Sequence, residues 1–174
     1  IFLTKDGETT TEWKAEDQVV CGDAMPDCSG TFGINMDYRG IFLNMSFYYQ
    51  FGGQTYNQTL VDRVENADVG LNVDKRIYNA VWKKPGDRVD FSYNPYRLTK
   101  PSSRFVQDLN ELRLSSLNVG YDFRHCAFLK KSRLQQLKAS FYMDDVFRAS
   151  TVKTERGLTY PFARTFSFSL QATF

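Results

Sequence analysis

The clearest alternation of hydrophobic and polar positions lies at the end of the chain, in YPFARTFSFSLQATF over residues 160–174. From Phe162 the even positions read Phe162, Arg164, Phe166, Phe168, Leu170, Ala172 and Phe174, against Ala163, Thr165, Ser167, Ser169, Gln171 and Thr173. Side chains of a strand alternate between faces, so the segment predicts a strand with one apolar and one hydroxyl or amide face. A length of about a dozen residues suits a tilted membrane-spanning strand, which needs roughly 9–11, better than a globular strand of roughly 5–6. The alternative is the last strand of a soluble β-sandwich, with its apolar face under a second sheet.

The same period recurs upstream. Phe32, Ile34, Met36 and Tyr38 share one phase and, after Arg39-Gly40, Ile41, Leu43, Met45, Phe47, Tyr49 and Phe51 share another. Two alternating arms around so short a connection predict a β-hairpin. Its second arm carries Asn44, Ser46, Tyr48 and Gln50 on the other face, as a wet lumen would require, and the aromatics 47–51 fit an interfacial girdle. A third strand is expected over residues 112–123, where Leu112 and Leu114 lie on one phase but Leu117, Val119, Tyr121 and Phe123 on the other. A β-bulge near Ser115-Ser116 reconciles the two phases. A fourth strand follows with Leu137, Ala139, Phe141 and Met143.

Residues 52–110 form an excursion far longer than an ordinary connection, which points to a functional loop. Tyr56, Leu60, Val61 and Val64 recur at helical spacing, and a second short helix is expected over residues 73–82, ended by Lys84-Pro85-Gly86. The aromatics Tyr78, Trp82, Phe91, Tyr93 and Tyr96 suit either stacking on sugar rings and sealing against a partner, or packing the loop's own small core. Residues 5–30 read as a polar loop whose acids lack calcium-loop spacing.

Composition narrows the classes. No apolar run approaches the roughly 18 residues of a transmembrane helix, so contact with a membrane must be made by strands. A net charge of +2 gives no reason to expect a nucleic acid as partner. Three cysteines argue against a disulfide-stapled mini-fold, although Cys21 and Cys28 are near enough to bridge a loop and match no metal signature. The adjacent His125-Cys126 point apart on any strand or turn, and Asp144-Asp145 have no partner acid, base or ligand nearby. No catalytic, metal or cofactor site is expected, and the chain is read as no enzyme.

The order of motifs resembles the carboxy-terminal part of the SusC/RagA-type TonB-dependent outer-membrane transporters. Four stretches carry the resemblance: GDAMPDCSGTFGINMDYRGIFLNMSFYYQFGG from Gly22, NVDKRIYNAVWKKPGD from Asn72, SSRFVQDLNELRLSSLNVGYDF from Ser102, and the closing YPFARTFSFSLQATF. Met143-Asp144-Asp145-Val146-Phe147 stands where the family often has a Gly-Gln-Asn-Leu-Phe-like stretch, a departure. The connections alternate short, long, short, long, as in barrels with short periplasmic turns and long extracellular loops.

The resemblance implies an all-β fold: an antiparallel transmembrane β-barrel, of which this chain supplies about five C-terminal strands with long extracellular loops, residues 1–174 being the C-terminal portion without plug domain or earlier strands. Five strands cannot close a barrel, since the smallest have about eight, so the chain is expected to be a fragment whose edges pair with missing strands. The implied function is outer-membrane, TonB-dependent import of large nutrients in a Gram-negative bacterium. Its implied partners are a SusD-like surface lipoprotein, TonB through the missing N-terminal part, the barrel-assembly machinery, outer-membrane lipid and an oligosaccharide or peptide substrate. Tyr78, Trp82, Tyr93 and Tyr96 are the candidate ligand or lid contacts, and Phe166, Phe168, Leu170 and Phe174 the candidate assembly signal. The rival function is a soluble β-sandwich carbohydrate-binding module.

Overall fold

A computed structural model describes residues 1–68, 70–92, 98–129, 134–153 and 163–174. Five strands form one sheet in the order β3-β4-β7-β8-β9: β3 (Cys28–Tyr38), β4 (Ile41–Tyr56), β7 (Val106–Asp122), β8 (Gln136–Ser150) and β9 (Phe166–Thr173). Strands β1 (Phe2–Leu3) and β2 (Thr9–Thr10) pair antiparallel, and β5 (Val81–Trp82) and β6 (Phe91–Ser92) pair parallel. The chain divides into two compact units: a sheet unit of residues 26–52, 109–151 and 162 onward, and a loop unit of residues 1–25, 53–108 and the segment that begins at Val152.

The sheet is two-faced because its register aligns like with like. Phe32 pairs with Phe47, Ile34 with Met45, Met36 with Leu43 and Tyr38 with Ile41, while Asn35 pairs with Asn44 and Gly33 with Ser46 on the other face. The Phe32 and Phe47 rings stack with centroids 4.8 Å apart. At the far side Phe141 pairs with Phe168 and Ala139 with Leu170, backed by Ser140 with Ser169 and Tyr142 with Ser167. A one-residue slip at any ladder would invert this segregation, so the pattern itself fixes the register. The β3–β4 turn has Arg39 at φ 51° and Gly40 at φ 91°, the left-handed pair that matches strand twist in a two-residue hairpin. Gly40 is required twice over, because a Cβ there would lie 2.7 Å from the Asp122 carbonyl oxygen.

An irregularity lies where the bulge is expected, but its extra residue is on β8, where Asp145 and Val146 stand against Ser115 alone, and not on β7. Between the pairs Leu114–Phe147 and Ser116–Asp144 the register shifts by one residue, and Asp145 sits there at φ 49°. On either side the apolar partners still meet: Leu112 with Ala149 and Leu114 with Phe147 above, Leu117 with Met143 and Val119 with Phe141 below. The Arg113 guanidinium lies over the Tyr48 ring, 5.2 Å from its centroid, and so belongs to the polar face of Ser46 and Gln50.

Strands β4, β7 and β8 are 16, 17 and 15 residues long. At a rise of ~3.3 Å per residue they extend ~50 Å, whereas a ~25 Å apolar band crossed at a ~40° tilt takes only ~33 Å. The terminal strand differs from its expected extent: pairing starts at Phe166, residues 163–165 are irregular, and residues 160–162 lie outside the described ones.

The loop unit has a core of its own, made by Leu60, Val61, Val64, Val81 and Phe105 with Ile77 and Phe91 against it. Leu60, Val61 and Val64 come from the expected helical segment, realised as one turn, Gln58–Leu60, continued by a wider turn, Val61–Glu65, and opened by the Asn57 side chain accepting from the Leu60 N–H. The helix expected over residues 73–82 is not formed. A 3-10 turn at Lys75–Tyr78 is followed by β5, since Val81 pairs with Phe91 and enters the core as part of a strand.

Candidate functional site

The loop segment from Asp74 to Ser92 carries the described residues with the most chemistry facing outward. Asp74 opens it. Its buried carboxylate accepts from the Arg76 backbone N–H at 2.8 Å and from the Arg76 guanidinium at 2.9 and 2.5 Å. Burial pushes the Asp74 carboxyl up, but the Arg76 hydrogen bonds and charge outweigh it and hold the group below the usual aspartate range. Arg76 also donates to the Lys153 carbonyl at 3.2 Å, fixing the turn to the segment after β8.

Past this anchor the side chains alternate. Val81 is buried, so Trp82, its neighbour on a strand, faces away from the core and is 47% exposed, and Tyr78 is 68% exposed. The Lys83 ammonium donates to the Tyr78 carbonyl. Asp87 accepts from the backbone N–H groups of Lys83 and Lys84 at 3.1 and 3.0 Å and closes the turn after β5. The Phe91 N–H, bonded to the Ala80 carbonyl at 3.2 Å, holds β6 alongside.

Two further clamps order the unit. Glu65, buried, takes the Arg104 guanidinium and the Ser92 hydroxyl, and Asn66 Oδ1 accepts from both the N–H and the hydroxyl of Thr99. The Trp13 indole N–H reaches the Pro101 carbonyl at 3.1 Å, with Lys100 Nζ 5.5 Å over the same ring.

Of the sequence-predicted contact residues, Tyr78 and Trp82 stand on this surface. Phe91 instead packs on Phe105, with centroids 6.5 Å apart, and Tyr93 and Tyr96 lie outside the described residues. Asp74, Glu65 and Asn66 were missed. Only Asp74 had a sequence signal, an Asp two residues before the N–H it captures.

On the sheet, Phe166, Phe168 and Leu170 are 68, 71 and 62% exposed, and Phe174 is exposed beyond the last pair. A β-sandwich would place the first three under a second sheet, and among the described residues none covers them. Cys21 and Cys28 carry free thiols. Among the described residues no group of three His, Cys, Asp or Glu is arranged to hold a metal, and no helix is long and apolar enough to cross a membrane.

No family model matches the chain. Over its whole length, aligned across 195 residues, the chain is 26% identical to TonB-dependent receptor P3 of Formosa agariphila and spans 19% of that protein. The RagAB peptide importer in its open-open state is similar over 97% of the chain, with a TM-score of 0.69 and 17% identity. The RagAB peptide transporter is similar over 99%, with a TM-score of 0.69 and 18% identity. The chain covers 19% and 20% of those two chains. The resemblance read from the four sequence stretches is thereby borne out, by a TonB-dependent receptor over the whole chain and by the RagAB structures in fold.

Proposed function

We propose that this chain, a portion of a TonB-dependent receptor of the SusC/RagA type, supplies barrel wall and outward-facing loops to an importer of large nutrients in the outer membrane of a Gram-negative bacterium. The observation that carries the reading is the uncovered apolar face of an open antiparallel sheet. Phe32, Ile34, Met36, Phe166, Phe168 and Leu170 are exposed on it, while the opposite face carries Asn35, Asn44, Ser46, Ser140, Ser167 and Ser169. In water such a face is a liability; in lipid it is the required surface. β3 and β9 end the sheet with unpaired edges, which in a bilayer must be completed by further strands.

Transport of this kind breaks no covalent bond. The wall excludes lipid, the polar face lines an aqueous or plugged lumen, and the loops hold the nutrient until TonB, pulling on a segment elsewhere in the receptor, opens a path. Tyr78 and Trp82 are the loop residues assigned to contact with nutrient or with a SusD-like lipoprotein lid. Phe166, Phe168, Leu170 and Phe174 are assigned to recognition by the barrel-assembly machinery. The likeness to a peptide importer and to a receptor of the same class supports import, with peptides or oligosaccharides as the nutrient.

The test is genetic and biochemical. A strain whose receptor lacks residues 73–82 is expected to retain the receptor in the membrane after carbonate extraction, yet to lose lid affinity or nutrient uptake. Unchanged affinity together with unchanged uptake removes the loop from the mechanism. Release of the intact receptor by carbonate removes the membrane assignment itself.

A further inference from the structure

Resting on the reading of the loop unit as part of an importer, we propose that the turn over residues 75–84 is a platform for acidic oligosaccharides, whose sugar rings stack on Tyr78 and Trp82 and whose carboxylate or sulfate groups meet Lys83 and Lys84. Residues 70–92 contain five Lys or Arg against three Asp. Two of those three acids are already engaged. Asp74 is buried under Arg76, and the Asp87 carboxylate is turned to the backbone N–H groups of residues 83 and 84. The four ion pairs among the described residues are Arg76–Asp74, Arg104–Glu65, Arg124–Asp122 and Arg148–Glu111, and none takes up Lys75, Lys83 or Lys84.

Cations and rings share one short turn. The Lys83 ammonium is tied to the backbone carbonyl of Tyr78, Lys84 is exposed, and the Tyr78 and Trp82 side chains stand exposed on the same segment. Flat aromatic faces next to ammonium groups complement a ligand that alternates apolar ring faces with fixed negative charge. A peptide would be recognised differently. It would add a strand to a free edge, and β5 and β6, two residues each, offer too short an edge for that.

The complete receptor, purified in detergent, is titrated calorimetrically with four ligands of matched length: neutral glucan, oligogalacturonate, sulfated galactan and polyglutamate. Both acidic sugars are expected to bind more tightly than the glucan, with an affinity that falls as salt rises. Replacing Lys83→Gln and Lys84→Gln together should weaken the acidic sugars by about tenfold, and by more than it weakens any glucan binding. Trp82→Ala should weaken every sugar. Should the double variant fail to fold, Lys84→Gln alone is read, since its ammonium supports nothing in the turn.

Several outcomes overturn the platform: no sugar bound, glucan bound as tightly as the acidic sugars, binding indifferent to the lysines, or polyglutamate bound as tightly as sugar. Preference for one acidic sugar over the other identifies the anion and keeps the proposal. A receptor that imports its nutrient with none of these preferences refutes the platform but not transport. One that binds acidic sugars yet imports nothing refutes transport but not the platform.

Discussion

Phe42 lies flat across Gly120. A Cβ built on Gly120 would stand 2.3 Å from the ring's Cζ and 2.3 Å from the carbonyl oxygen of Ala139. The residue alternative to glycine is therefore refused from two sides, by an aromatic on β4 and by the backbone of β8. Lys138 Nζ lies over the same ring, 4.3 Å from its centroid. Phe42 is the one buried apolar side chain in β4, on the face otherwise given to Asn44 and Ser46, and an aromatic covering a strand glycine restores the packing that the glycine lacks.

Gly120→Val should accordingly be far worse than a surface change, and Phe42→Ala should destabilise by on the order of 3 kcal/mol, as for loss of a packed ring. Gly30 is the internal control. A Cβ there meets only the Tyr49 hydroxyl end at 2.8 Å, a side-chain tip that can move, so Gly30→Ala should be mild. The unfolding temperature of the complete receptor, read as the loss of its compact gel band on heating, ranks the three.

A charge separates the two faces. Met45→Arg places a guanidinium on the apolar face and should cost about 2–4 kcal/mol if set near the bilayer midplane, while Ser46→Arg, one residue on, should be tolerated. Folding yield into lipid vesicles checks this. Equal yields for the two variants would contradict a lipid-facing sheet.

Asp74 makes the loop unit sensitive to acid. Its carboxyl is held below its ordinary value of 3.8, so the stabilisation is complete above that value and is lost as pH falls through the lower, folded one. Asp74→Ala strands Arg76 and should loosen residues 70–92 by about 2 kcal/mol at neutral pH. Asp74→Asn should loosen them less and flatten the acid response. Hydrogen exchange of the Arg76 and Ala80 amides between neutral and acid pH reports both.

At the bulge, Asp145 occupies the left-handed region at φ 49°, which costs an ordinary L-residue about 1–2 kcal/mol. Asp145→Val should destabilise the receptor by about that much or more, and Asp145→Gly should be the gentler change, again by heat-induced loss of the compact band.

The sheet was readable in the sequence because each strand puts its phases to opposite solvents. Phe32 to Tyr38, Ile41 to Phe51, Leu137 to Met143 and Phe166 to Phe174 all carry the period openly, and the jump from Leu114 to Leu117 marked the place of the irregularity but not the strand, β8, that holds the extra residue. The ends were harder. β7 starts at Val106, not near Leu112, because Val106 to Glu111 carry a weaker alternation that pairing overrides. β9 starts at Phe166 because Arg164 and Thr165 continue the pattern without being paired. Within the loop, Ile77 and Val81 sit four apart as on a helix, but a 3-10 turn and a strand reach the same core. Tyr78 and Trp82 were singled out by residue type alone, and the clamp on Asp74 in the same segment depends on burial that no local pattern announces.

Two residues of β8, Asp145 and Val146, stand against Ser115 alone, and an unequal count of this kind coils a strand pair more tightly than a regular ladder does. Removing Asp145 would even the count and flatten the ribbon at that point. A change of length there alters curvature, which no change of side chain at the same place would do.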